Sequence, residues 1–182
     1  MVTDIQLRGI TDDQLIKGCI EGRAAYQQLL YKVFSSKMFG VCLRYAGDFH
    51  SAEDILQEGF IKVFNKLDYY RGEGSFEGWM RRIFINTAIE YYRKSARQYR
   101  CEELKFPDDH SLSGNALQNL MRDDLLKVIQ QLPDGYRTVF NLYAIEGYNH
   151  KEIGKMLDIS EGTSKSQLAR ARIYLKKLIQ AI

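Results

Sequence analysis

Apolar residues recur along this chain three and four positions apart, and almost nowhere alternate with polar ones. That spacing lines them up on one side of a helix, so the pattern predicts an all-α protein. Thr11 with Gln14 has the form of a capping box and opens a first helix. A second is expected from about Ala24 to Tyr45, with Tyr26, Leu29, Leu30, Val33 and Phe34 as its apolar stripe. Ser51 and Asp54 open a third, to about Leu67. Asp68 to Ser75 is a glycine-punctuated loop, and a fourth helix follows from about Phe76 to Ala96. From about Gln98 to Ala116 periodicity lapses, and Pro107, Ser111, Ser113 and Gly114 mark a linker. Helical pattern resumes from about Leu117, with Pro133 ending one helix at Leu132. The expected organisation is two small helical domains, 1–97 and 117–182, joined by an irregular linker over 98–116.

The stretch from Asn149 to Arg172 carries the most information. Asn149 can cap a short helix, with Glu152 reaching back as in a capping box. Ile153 and Leu157 share one face of it, Asp158 and Ile159 make a turn, and Ser160 caps a second helix carrying Lys165, Arg170 and Arg172. Two helices in a tight turn, the second basic on one face, are the helix-turn-helix arrangement that reads the major groove. An ordinary amphipathic helical hairpin would show the same periodicity.

The net charge of +3 conceals two basic modules. From Arg81 to Arg100 only Glu90 is acidic, and Lys151 to Lys177 is again basic. Between them Glu102, Glu103, Asp108, Asp109, Asp123 and Asp124 outweigh Lys105 and Arg122. Two cationic surfaces held apart by an acidic stretch point to two contacts with nucleic acid. Cys19, Cys42 and Cys101 are odd in number and scattered, which fits reduced thiols in a cytoplasmic protein. His50, His110 and His150 are equally dispersed, so no metal site is expected. No phosphate loop or nucleophile–base motif appears, and no cofactor or enzymatic activity is expected. No apolar run is long enough to insert in a membrane.

Two helix faces stand out. On the third helix Leu56, Phe60, Val63 and Leu67 fall together, while Asp54, Glu58, Ile61 and Asn65 lie opposite. An isoleucine among carboxylates is either one stray apolar residue or the centre of an acid-rimmed protein contact. On the fourth helix Phe76, Trp79, Met80, Ile83, Thr87 and Tyr91 form one side, and Arg82, Ile85, Asn86, Ile89 and Arg93 the other. With Tyr69, Tyr70 and Arg71 before it, this mixture suits single-stranded nucleic acid, where cations meet phosphates and rings stack on bases. Inward-packed rings with solvated arginines would leave the same pattern.

Three segments in order resemble the extracytoplasmic-function (ECF) group of bacterial RNA polymerase sigma factors. They are Ser51–Phe64, Phe76–Lys94, and Leu132–Tyr148 running into the helix-turn-helix. The resemblance implies a subunit that binds core polymerase and directs promoter-specific initiation. It implies that Asp54, Gln57, Glu58 and Ile61 dock on the clamp helices of the β′ subunit. Tyr69, Arg71, Arg82, Asn86 and Arg93 would then meet the melted −10 strand, with Asn86 at the pocket for a flipped base and Trp79 in packing. In the −35 duplex Lys165, Ser166, Ala169 and Arg170 would reach base edges or phosphates. Thr163 would sit near the backbone, and Lys151 and Arg172 would contact phosphates. The acidic linker would thread toward the polymerase cleft, and an anti-sigma factor is implied as a further partner.

The chain departs from the family pattern at several points. Ser164 stands where an apolar residue usually packs the recognition helix, Gln167 where arginine is frequent and Asp158 where glycine is frequent. Gly154 stands where alanine is usual, and Glu90 replaces a frequent aspartate. A self-sufficient helix-turn-helix regulator is the alternative function. It accounts for the C-terminal third and leaves the acidic face of the third helix without a role. A DNA-cutting enzyme would need a nucleophile with an arginine cluster or metal-binding carboxylates, and no such motif is present.

Overall fold

The computed structural model describes residues 10–102 and 122–180. Among them lie eight α-helices and no strand, so the fold is all-α as the periodicity predicts. In order they are α1 (Asp12–Ile20), α2 (Ala24–Tyr45), α3 (Phe49–Lys66), α4 (Phe76–Glu102), α5 (Arg122–Gln130), α6 (Asp134–Phe140), α7 (His150–Leu157) and α8 (Glu161–Gln180). A 3₁₀ turn, Leu67–Tyr69, follows α3, and a π-helical turn, Asn141–Ile145, continues α6. Two compact units emerge: Met1–Cys42 with His50–Thr87, and Leu43–Phe49 with Ala88–Ile182.

The first unit is organised by the stripes of its helices. Thr11 and Gln14 form the expected reciprocal capping box on α1. Leu30, Phe34 and Met38 of α2, Phe60 and Val63 of α3, and Phe76, Met80 and Phe84 of α4 are buried. Phe60 meets Phe84 edge-on at 5.2 Å. Close approach depends on Gly59, where a Cβ would stand 2.2 Å from the Phe84 ring. Val33, expected in the α2 stripe, is exposed, because the burying arc is set by Leu29, Leu30 and Phe34.

Helix α4 corrects three expectations. It continues to Glu102, so residues 98–102 of the expected linker are helical. The rest of that linker, 103–116, and the expected domain start at Leu117 lie outside the described residues. Ile85 and Ile89, placed by the helical wheel beside Arg82 and Asn86, are buried instead. Phe84, Ile85, Ala88 and Ile89 are all buried, so the apolar arc is wider than one stripe. Between Arg81 and Glu90, only a ribbon one residue wide stays fully exposed: Arg82, Asn86 and Glu90 at i, i+4 and i+8. Tyr91, assigned to the core side, is partly exposed.

In the second unit α8 packs on α5, α6 and α7. Val128, Leu132, Ala171 and Leu175 form its core, with Tyr136, Phe140 and Leu178 against them. A polar group also holds this unit together. The last carbonyls of α2 lack partners within their own helix. Gln130 Nε2 donates to Leu43 O at 3.0 Å, Arg137 Nε to Tyr45 O at 3.0 Å, and Asn141 Nδ2 to Arg44 O. Arg137 is only 4% exposed. Its other nitrogens donate to the carbonyls of Gln130 and Leu132 and to Asp134 Oδ1 at 2.6 Å. Burial pushes the Arg137 pKa down, and the Asp134 carboxylate opposes that shift.

Candidate nucleic-acid and polymerase interfaces

On α3 the inward positions Leu56, Phe60 and Val63 are buried, and Leu67 is buried in the turn that follows. The opposite side carries Asp54, Gln57, Glu58 and Ile61, all exposed, with Ile61 at 55%. Glu58 pairs with Lys62 one turn on, at 3.4 Å. The four residues expected to dock on polymerase therefore share one solvent face with an apolar centre.

The loop before α4 is shaped by Gly72 and Gly74, at φ of 73° and 84°, where an L side chain would be strained. Tyr70 closes it, donating its hydroxyl to Gly74 O at 2.8 Å and resting its ring against Phe76 and Trp79. Trp79 stacks on Phe76 at 5.6 Å, which is the packing role expected for it. Ser75 Oγ accepts from Gly78 N–H and caps α4. Tyr69, left outside this cluster, is 76% exposed, and Arg71, Arg82 and Asn86 are exposed too. Arg93 is placed differently: it is half-buried, and its Nη2 donates to Lys155 O at 3.3 Å.

The C-terminal helices form the expected helix-turn-helix. Asn149 and Glu152 make the reciprocal capping box on α7. Asp158 turns the chain with φ 57° and ψ 47°, a left-handed conformation that a short polar residue tolerates. Gly154 lies under the turn, where a Cβ would stand 2.8 Å from Ile159 O. Ser160 Oγ accepts from Thr163 N–H at 2.9 Å and caps α8.

Along α8, Ser164, Leu168, Ala171 and Leu175 form one buried ridge. At ~100° per residue, Ser166 and Ala169 point away from it. Lys165 and Arg172 lie on one flank, and Thr163 and Arg170 on the other. All six are exposed, as is Lys151 at the start of α7. Lys165 pairs with Glu161 at 2.6 Å, which holds the Glu161 carboxyl below its usual range. Arg170 Nη1 donates to the Tyr136 hydroxyl at 3.3 Å, and the Arg172 guanidinium lies 5.8 Å from the Tyr143 ring centre. Sequence reasoning overlooked Tyr136, Tyr143 and Ile173; Ile173 is 58% exposed on the same outer side of α8. The helical wheel of α8 could have found Ile173, but the two tyrosines needed tertiary contacts.

A family profile described as Sigma-70 region 2 matches residues 30–98, and one described as Sigma-70, region 4 matches residues 122–175. The RNA polymerase sigma-H factor of Pseudomonas aeruginosa is 30% identical, over 94% of this chain and 95% of its own length. The chain belongs to the ECF sigma factors. The ECF RNA polymerase sigma-E factors of Haemophilus influenzae and Escherichia coli K12 are 27% and 29% identical, each aligned over 95% of this chain. Those alignments cover 97% and 96% of the two relatives. Among solved structures, the sigma factor RpoE of Bartonella quintana, crystallised with the anti-sigma factor NepR, matches with a TM-score of 0.51 at 20% identity. That match covers 84% of this chain and 96% of the other, and it shows the shared fold. This ECF factor is an alternative sigma subunit that binds core polymerase and directs it to promoters. Among the described residues, no helix is long and apolar enough to cross a membrane.

Proposed function

We propose that this sigma factor divides its work among three surfaces. Residues 1–97 act as the polymerase-binding and −10 domain, and 117–182 as the −35 domain. Asp54, Gln57, Glu58 and Ile61 dock on the β′ clamp helices, with the carboxylates toward basic partners and Ile61 at the desolvated centre. One observation carries this reading: α3 is buried along one side and keeps these four residues together on the other. A self-sufficient DNA-binding regulator has no use for such a face.

Tyr69, Arg71, Arg82 and Asn86 take the melted −10 strand. Asn86 reads the edge of a base turned out of the stack, at an unstacking cost of a few kcal/mol that stacking on Tyr69 helps to offset. Arg93 joins them after releasing the Lys155 carbonyl. On the duplex, Ser166, Ala169 and Arg170 face base edges, while Lys151, Thr163, Lys165 and Arg172 meet phosphates. The protein has no catalysis of its own; the polymerase supplies the chemistry, in the cytoplasm. An anti-sigma protein is a further partner, by extension from the Bartonella quintana complex.

The test is transcription with sigma-free core polymerase on a genomic promoter library. Wild type should start RNA synthesis, and Asp54→Ala with Glu58→Ala should reduce holoenzyme formation while leaving the circular dichroism spectrum unchanged. Normal holoenzyme formation by the folded double variant would remove the docking assignment.

A further inference from the structure

His150 has no role in the three surfaces, yet it ties both helices of the helix-turn-helix together. It is the first residue of α7 and is half-buried. Its Nδ1 lies 2.9 Å from Ser164 Oγ on α8. Its ring stacks on Tyr143, with centroids 4.6 Å apart and planes 20° from parallel. Ser164 is fully buried, so water does not serve its hydroxyl and the imidazole does. The residue that breaks the family's apolar pattern in α8 is thus matched by a polar partner in α7.

This contact bears on the chemistry of the ring's other nitrogen. When the Ser164 hydroxyl donates to Nδ1, the neutral imidazole carries its proton on Nε2. Nε2, on the far side of the ring, takes no part in this contact, and the residue is half-buried rather than sealed. When the ring gains a second proton, the hydroxyl can turn and accept from Nδ1, so the lock survives and Nε2–H becomes a charged donor. Nearby, Glu161 and Lys165 pair at the start of α8, Lys151 and Glu152 follow His150 in α7, and Arg172 lies over the Tyr143 ring on which His150 stacks. The contact with Ser164 places the ring beside the N-terminal part of α8, the end that a helix-turn-helix turns toward DNA. Glu161 is itself neutralised by Lys165.

We propose that His150 is a phosphate-binding residue of the −35 interface, donating from Nε2 to a backbone phosphate and gripping it more tightly when protonated. This inference rests on the −35 assignment proposed for α7 and α8 and adds a pH-dependent contact to it. A protonated ring neutralises one further phosphate and displaces its counterions.

The test uses the full chain assembled with core polymerase and a duplex of about 25 base pairs selected by that holoenzyme from a randomised pool, with binding read by fluorescence anisotropy. Wild-type affinity should be roughly threefold to tenfold higher at acid than at alkaline pH, and the slope of log K against log salt should steepen by about 0.9. His150→Gln, which donates without titrating, should bind like wild type at the higher pH and lose the pH dependence. His150→Phe with Ser164→Val restores apolar packing; it should keep the fold but bind weakly at every pH. If this double variant binds as tightly as wild type, or if wild type shows no more pH or salt response than His150→Gln, the proposal is overturned. Lys165→Ala and Arg170→Ala separate the two readings. If they weaken binding while the His150 variants do not, only this inference fails. If none matters, or wild type does not bind, the −35 reading fails with it.

Discussion

Replacing Gly154 by the alanine usual in its family should destabilise this member. A Cβ at that position would lie 2.8 Å from Ile159 O, about half an ångström inside the ~3.3 Å of a close carbon–oxygen contact. The obstacle is backbone, and the turn has little room to yield. Asp158 already sits at φ 57°, and the N–H groups of Asp158 and Ile159 both donate to Gly154 O. Helix propensity favours alanine by about 1 kcal/mol. Overpacking costs about 1–3 kcal/mol, toward the upper end where nothing can swing aside. The net expectation is a loss of about 1–2 kcal/mol. Gly40 supplies the control, because it lies inside α2 and a methyl group added there would meet nothing within 4 Å. There the propensity term acts alone, and Gly40→Ala should gain up to about 1 kcal/mol. Urea unfolding followed by far-ultraviolet circular dichroism reads both variants, with shifts in midpoint at constant slope. A Gly154→Ala protein stabilised as much as Gly40→Ala would refute the close contact and the tight turn built on it.

Three other outcomes are expected. Arg137→Met leaves the carbonyls of Tyr45, Gln130 and Leu132 without their cation. It should cost about 3–5 kcal/mol in urea unfolding, and a loss under ~1 kcal/mol would argue against the buried network. Arg170→Ala should weaken −35 binding by about 1–3 kcal/mol and relax base preference at one position; an unchanged preference in a selected-sequence assay removes the base-edge assignment. Burial pushes the Cys19 thiol from 9.0 up to about 11. A group that holds its proton more tightly when folded contributes fully below pH 9.0, and that contribution is lost as pH rises through about 11. Melting temperature should fall over this window more in wild type than in Cys19→Ala, and parallel curves would count against a sealed thiol.

Local pattern alone determined much of this protein. Both capping boxes, the bounds of α2, the acidic side of α3 and the two helices around Asp158 follow from residues within a turn or two of each other, where side-chain spacing and backbone hydrogen bonding act directly. The exposed face of Asp54, Gln57, Glu58 and Ile61 was legible because one packed side of α3 leaves the other to solvent. Tertiary structure decided the rest. Ile85 and Ile89 are buried because α4 is covered over a wider arc than a single wheel implies. Arg93 is held by the carbonyl of Lys155 and Arg137 by that of Tyr45, and neither partner is near in sequence. Ser164 reads as lost packing in the sequence, yet folding brings His150 to its hydroxyl from fourteen positions away. Periodicity reports which side of a helix turns inward. It is silent on what waits there, because the partner of a buried polar group is supplied by another element, placed by the packing of the whole unit.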